Sequence, residues 1–389
     1  MELSKKYKKI ICVEIIVIIL VSILFKTSVL RNLFILFNSS KFFILFFKFL
    51  FLARTLLLFH LLIIILKLFY HNVIKQPSHQ KHDNIKLLKT SIISCFILCE
   101  IIFMFVPQSQ GNIDIGYGQS IWDFYYDNPI NELNYRDLSL ENRTENHKKN
   151  ILFLGDSFTR GVGIKKDEDR FVSIIRSKIN STKFEVFNLG KGNSDTKDEL
   201  KRLIAYPVKP DVLVLQYYHN DIQPVGEKFG YYQYKESFLK KIIGAIVYST
   251  AKISFFINFI TLNASVKLLN FKIGNEYRKE IEKSYKDKRC LTTHLNDINN
   301  LMTYCKTNNI KLYIIFIPEL VNIDFAEKIC FNPIKSFLDK NAINYISINN
   351  ELKDYSPKQL TVGPLDNHGN EFVQTVIANK ILISIPELK

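Results

Sequence analysis

The hydrophobic positions of this chain fall into two regimes that meet near Pro107. Before it, apolar residues form long tracts with isolated polar interruptions. Ile10 to Phe25 is apolar except for Glu14 and Ser22, and Phe42 to Phe69 is broken mainly by Lys48, Arg54, His60 and Lys67. Ser91 to Val106 carries Glu100 near its middle. A bilayer core takes roughly 20 apolar residues in a helix, which the first and third tracts reach with their flanks and the second exceeds. The pattern predicts about three transmembrane helices within residues 1–106. A cleaved signal peptide fits the first tract less well, since no small-residue cleavage site follows it and two more tracts do.

Beyond Pro107 the period changes. Residues 107–149 read as an irregular lead-in rich in Gly and Asn. Then comes a short, wholly apolar run, Ile151–Leu154, of the kind buried on both faces of a parallel sheet, and further strands are read at Phe184–Phe187, Val212–Leu215, Leu312–Ile317 and Tyr345–Ile348. Between and after them, helical spacing appears at Phe171–Ile179, Glu199–Tyr206, Leu295–Cys305, Phe325–Leu338 and Glu371–Ile383. Alternation of this sort predicts an α/β domain over residues 150–389 with about five parallel strands. Chemistry in such sheets collects at the carboxyl ends of the strands. An insertion at about 222–290 interrupts the alternation, and Ile242 to Ile260 within it is almost continuously apolar. A single further membrane crossing there would separate the two ends of the domain, so the insertion is expected to pack on the domain or rest on the membrane face.

Charge changes the picture only in its distribution. The formal net charge is +15, yet no finger spacing, basic helix or aromatic ribonucleoprotein motif accompanies it, so nucleic acid is not an expected partner. Lysines gather instead at Lys5, Lys6, Lys8 and Lys9, and again at Lys75, Lys81, Lys86 and Lys89. By the positive-inside rule these segments face the cytoplasm. Three crossings then make a multi-pass membrane protein whose residues after Pro107 lie outside it. The cysteines have no metal spacing, and the histidines His71, His79 and His82 read as part of a polar juxtamembrane loop, so no metal or cofactor is expected.

Four short stations carry candidate chemistry. The first strand runs into Gly155-Asp156-Ser157-Phe158-Thr159, where a serine at a strand end can project its hydroxyl into a cleft. Alone this fits a phosphate-binding or structural turn equally, and it is not the nucleophile elbow, which needs glycine at Thr159. The second strand ends in Asn188-Leu189-Gly190-Lys191-Gly192-Asn193, the third in Tyr218-His219-Asn220-Asp221. An Asn side chain there can donate to an oxyanion or simply cap a helix. Asp366-Asn367-His368 stands before the last helix, an acid two places from a base. Serine needs such a base, and the base an orienting acceptor.

Together, in this order, the stations resemble the four blocks of the SGNH (GDSL-like) hydrolase superfamily over about residues 130–389. Asn134-Tyr135-Arg136-Asp137 is similar to the lead-in of its membrane-linked members. The resemblance implies a flavodoxin-like αβα sandwich with Ser157 as nucleophile, His368 as base and Asp366 as its partner. It further implies an oxyanion hole from the backbone N–H of Ser157, a second-block glycine and the side chain of Asn220. Where the family places that glycine this chain has Asn193, so Gly192 is the expected donor and Gly190 the alternative. Tyr218 stands where the third block usually begins with glycine, and the last block is Asp-x-His. The implied activity is ester hydrolysis or acyl transfer, and with the domain anchored outside the cytoplasm the expected substrate is an acylated, foremost acetylated, envelope glycan or lipid, with a membrane acyl-transfer assembly as the expected partner. Both reactions share every catalytic residue. A catalytically silent glycan-binding member of such an assembly is the alternative function.

Overall fold

The computed structural model describes residues 49–64, 79–105, 126–233, 254–268 and 273–388, with short gaps at 51, 62, 142, 144–147 and 364–365, and three isolated positions besides. The chain divides into two compact units. One comprises residues 1–109, 114–125 and 237–264, the other residues 110–113, 126–236 and 265–389.

In the first unit the helix His79–Phe105 carries Glu100, whose side chain is fully buried. Its carboxylate accepts the N–H groups of Phe255 (3.0 Å) and Phe256 (3.2 Å) and pairs with the Ser254 hydroxyl. These are the unsatisfied donors at the start of the helix Phe255–Leu268, so a lone acid inside an apolar tract serves as a helix cap. Phe103 packs on Phe256 and Phe259 at ring separations of 5.5 and 4.3 Å. Among the described residues no helix is long and apolar enough to cross a membrane. The first expected membrane tract lies outside the described residues except for Ile16.

The second unit is built on five parallel strands: β1 (Lys149–Gly155), β2 (Phe184–Gly190), β3 (Val212–Tyr217), β4 (Lys311–Phe316) and β5 (Asn344–Ser347). Their order is β2-β1-β3-β4-β5, the flavodoxin-like order, with the switch point between β1 and β3. Ile151 pairs with both Val186 and Val212, so β1 is central and its apolar run is flanked on both edges.

Eight helices are needed to describe how the sheet is covered: α1 (Ser157–Arg160), α2 (Phe171–Lys178), α3 (Thr196–Ala205), α4 (Gln223–Lys228), α5 (Ile273–Lys286), α6 (Lys288–Thr307), α7 (Asn332–Lys340) and α8 (Glu371–Ser384). Alternate strand residues face opposite sides. Leu152, Leu154, Leu213, Leu215 and Ile314 pack with Leu203 of α3, Ile281 and Tyr285 of α5, Ile298 of α6 and Ile334 of α7. Ile151, Phe153, Val212, Val214 and Ile315 pack with Phe171 and Ile175 of α2 and with Val373, Ile377 and Ile381 of α8. Three layers result, helices over each face of one sheet. The 222–290 segment is divided: α5 covers the sheet and α4 packs on α5 and α6, whereas residues 237–264 group with the first unit.

Candidate active site

The serine turn is fixed before any catalytic group is considered. At the end of β1 the Asp156 carboxylate accepts the N–H of Phe158 (2.8 Å) and so caps α1, placing Ser157 as its first residue. Gln216, buried in β3, offers its side-chain carbonyl to Asp156 N–H (3.1 Å), Thr159 N–H (3.3 Å) and Thr159 Oγ1 (2.9 Å). A Cβ on Gly155 would lie 2.5 Å from that Gln216 oxygen, so only glycine fits there. From the other side Arg136, fully buried, donates to the carbonyls of Gly161 (2.5 Å) and Ile164 (2.7 Å) just past α1. Its neighbour Asp137 accepts from Asn188 N–H (3.1 Å) at β2. The lead-in segment therefore clamps the first two blocks.

A short antiparallel pair, β6 (Thr361–Gly363) and β7 (Asp366–Gly369), follows β5 and delivers the base. His368 Nδ1–H donates to Asp366 Oδ1 at 2.5 Å, and the His368 backbone N–H donates to the same oxygen at 3.0 Å. That leaves Nε2 as acceptor for the Ser157 hydroxyl, 2.8 Å away. Residues 211 positions apart in sequence thus form a hydroxyl–imidazole–carboxylate line. Burial pulls the His368 pKa down, but the hydrogen bond and charge of Asp366, with Asp156 behind them, outweigh it and hold the ring above its ordinary value.

The second block separates its glycines. Gly190 N–H donates to Asn188 Oδ1 (2.8 Å) and Lys191 N–H to the Gly155 carbonyl (3.1 Å). A Cβ at Gly190 would sit 2.1 Å from the Arg160 nitrogen, so its glycine serves close packing of β2 on α1. Gly192 lies beside the serine instead: its hypothetical Cβ falls 4.0 Å from Ser157 Cβ. Asn193 holds a left-handed φ of 58°, a conformation Asn tolerates and glycine favours. No acceptor among the described residues takes the N–H of Ser157, Gly192 or Asn193.

The third block borders this turn through Tyr218, whose ring packs on Phe158 (4.8 Å), itself against the His368 ring (5.3 Å). Asn220 follows in the 3₁₀ turn His219–Ile222, its Oδ1 buried without a hydrogen-bond partner. Beneath lie the buried acids Glu199 and Asp221: burial pushes Glu199 up to about 8, with Arg202 opposing and Asp156 and Asp195 adding, and burial beside Glu199 raises Asp221 as well. Among the described residues no cluster of three or more His, Cys, Asp or Glu is arranged to hold a metal ion. Gln216 is a supporting residue that motif reading passes over, and Arg136, quoted only as part of a lead-in motif, proves to hold the far side of the serine turn.

No protein-family model matches the sequence, and no curated protein does. Solved structures similar to the chain include a G-D-S-L family lipolytic protein from Veillonella parvula, at 13% identity over 62% of this chain and 100% of that one, TM-score 0.36. Another is a catalytic mutant of an acetylxylan esterase from Geobacillus stearothermophilus, at 16% identity over 61% of this chain and 94% of that one, TM-score 0.37. A third is a putative G-D-S-L lipolytic protein from Desulfitobacterium hafniense, at 12% identity over 61% and 100%, TM-score 0.37. Likeness at this level fixes neither activity nor substrate, which rest on the geometry above.

Proposed function

We propose that this chain is a serine esterase or O-acyltransferase acting on an O-acyl, foremost O-acetyl, ester of an envelope glycan or lipid, anchored to a membrane by its N-terminal region. The observation that carries this reading is the line from Ser157 Oγ through both nitrogens of His368 to Asp366 Oδ1, at 2.8 and 2.5 Å. In the reaction Ser157 Oγ attacks the ester carbonyl while its proton passes to His368 Nε2. Negative charge then builds on the carbonyl oxygen, where the N–H of Ser157, an N–H of the Gly192–Asn193 turn and the Asn220 side-chain amide stabilise it. The buried, unpartnered Asn220 Oδ1 leaves the amide nitrogen as the end offered to the cleft. Collapse expels the alcohol, which takes the proton from His368 and leaves an acyl-Ser157 ester. Water or an acceptor hydroxyl, deprotonated by His368, releases the acyl group and restores the serine.

The lysine distribution supports placing the second unit outside the cytoplasm, and that placement supports an envelope substrate. The test is turnover of 4-nitrophenyl acetate by the full chain, with and without an oligosaccharide acceptor. An esterase releases acetate in both; a transferase forms acetylated oligosaccharide; a silent glycan-binding protein turns over neither, which would overturn the reading.

A further inference from the structure

Behind the third block runs a buried hydrogen-bonded chain that no catalytic role yet uses. Tyr285 of α5 donates its hydroxyl to the backbone carbonyl of His219 at 3.1 Å. Tyr217, the last residue of β3, meets the Tyr285 hydroxyl at 2.7 Å and His294 Nε2 of α6 at 2.7 Å. All three side chains are almost wholly buried, at 0% exposure for Tyr217, 3% for Tyr285 and 1% for His294. Three contacts need three hydrogens, and the two phenols supply only two. The carbonyl can supply none, so the third must come from His294 as the Nε2–H tautomer. Burial pushes the His294 pKa down to about 3, so the ring is neutral and holds this single proton. Every hydrogen then points one way: His294 Nε2–H to Tyr217, Tyr217 O–H to Tyr285, Tyr285 O–H to the His219 carbonyl. Hydrogen bonds aligned in this manner reinforce one another.

The end of the chain matters because the His219 carbonyl belongs to the peptide unit that leads into Asn220. A fixed acceptor fixes that peptide plane, and with it the Cα from which the Asn220 side chain projects. We infer that the His294–Tyr217–Tyr285 chain is a positioning device that holds the peptide before Asn220 and so aims its amide at the developing oxyanion. This rests on the reading of Asn220 as an oxyanion donor. It also gives the 222–290 segment a part in the reaction, since α5 brings Tyr285 to the sheet.

The experiment is a double-mutant cycle on the full chain with 4-nitrophenyl acetate. Tyr285→Phe removes the donor to His219 and is expected to lower kcat by about 10- to 100-fold, within the roughly 10²–10³ loss of a whole oxyanion donor, with KM within about twofold. In an Asn220→Ala background the same change should cost no further kcat, because the amide it aims is gone. His294→Gln, which keeps an N–H donor, should stay near the parent, while His294→Leu should follow Tyr285→Phe. Unchanged kcat in Tyr285→Phe, or an equal loss in both backgrounds, overturns the inference. If Asn220→Ala itself leaves kcat intact, the oxyanion reading of Asn220 has failed instead. The wild-type chain supplies a measurement independent of folding defects: ¹⁵N-histidine NMR should show His294 as the Nε2–H tautomer, and the Nδ1–H form would overturn the chain's direction.

Discussion

A serine hydroxyl holds its proton too tightly to attack an ester at neutral pH, and His368 is placed to take it. The base must be neutral to act, and the hydrogen bond and charge of Asp366 outweigh burial and hold its pKa above the ordinary imidazole value. Activity should therefore fall as the medium is acidified, with kcat/KM inflecting on the high side of a free imidazole. Asp366→Asn removes the contributions that raise the ring, so its acid limb should move to lower pH while the rate drops by about 10³–10⁴ through loss of the correct tautomer. A pH–rate profile of both proteins checks each part. The two glycines of the second block predict opposite stabilities. Gly190→Ala forces a Cβ to 2.1 Å from backbone and should cost about 1–3 kcal/mol or more, whereas Gly192→Ala meets nothing closer than 4.0 Å and should unfold at the parent temperature. Calorimetry distinguishes them. This difference was invisible in the letters, because both glycines end the same strand and only the docking of α1 tells them apart. Asp366 and His368 were legible because an acid two places from a histidine already pairs locally. Asn193 was legible only as a departure from the family's glycine; that it keeps a glycine-like left-handed φ was not.

At the scale of elements, the five strands stand on the runs that predicted them; β3, buried along its whole length, leaves no polar phase to misread, whereas edge strand β5 buries only Ile346. Helix limits moved where caps intervene. The helix expected from Glu199 begins at Thr196, since Asp195 accepts the Asp198 N–H at 2.8 Å. The helix expected over Phe325–Leu338 breaks into a wide-turn segment, Ala326–Phe331, before α7, where Pro333 enters the first turn without an N–H. The β6–β7 pair escaped notice, being too short for a period. Gln216 escaped as well: inside an apolar strand it reads as an interruption, and its partners lie 57–60 residues away. Gln216→Leu strands two N–H donors and a hydroxyl in the core, so it should lower stability by about 1–3 kcal/mol or more and reduce kcat through a loosened serine turn. Glu199 of α3 makes a further prediction. Its folded pKa, about 8, exceeds the unfolded 4.5, so the native state binds the extra proton and stability falls as pH rises between those values. Glu199→Gln should flatten that decline in denaturant titrations at pH 5, 7 and 9; a decline that persists unchanged places its source elsewhere.

For the whole molecule, the first unit contains the long apolar tracts and the second, the α/β unit, bears the candidate site. The α/β unit was readable because its motifs sit at strand ends, where the sheet brings distant segments together. The apolar tract within the insertion was expected to pack on the domain or rest on the membrane face; residues 237–264 group with the N-terminal unit, where Phe259 packs on Phe103, a contact that composition does not encode. Membrane anchoring stays a proposal from the lysine pattern. It predicts that a cysteine placed near Lys389 reacts with an impermeant maleimide in intact cells, after outer-membrane permeabilisation where there is one; reaction only after lysis would reverse the orientation. The central claim is that Ser157 is a nucleophile activated by His368, and it needs no knowledge of the substrate to be tested. The full chain is treated with a fluorophosphonate and its adduct mapped by mass spectrometry, alongside Ser157→Ala and His368→Ala. The account predicts one adduct, on Ser157, absent from the first variant and slowed by several orders of magnitude in the second. Undiminished labelling of Ser157→Ala, or an unlabelled wild-type chain that is folded, would contradict it.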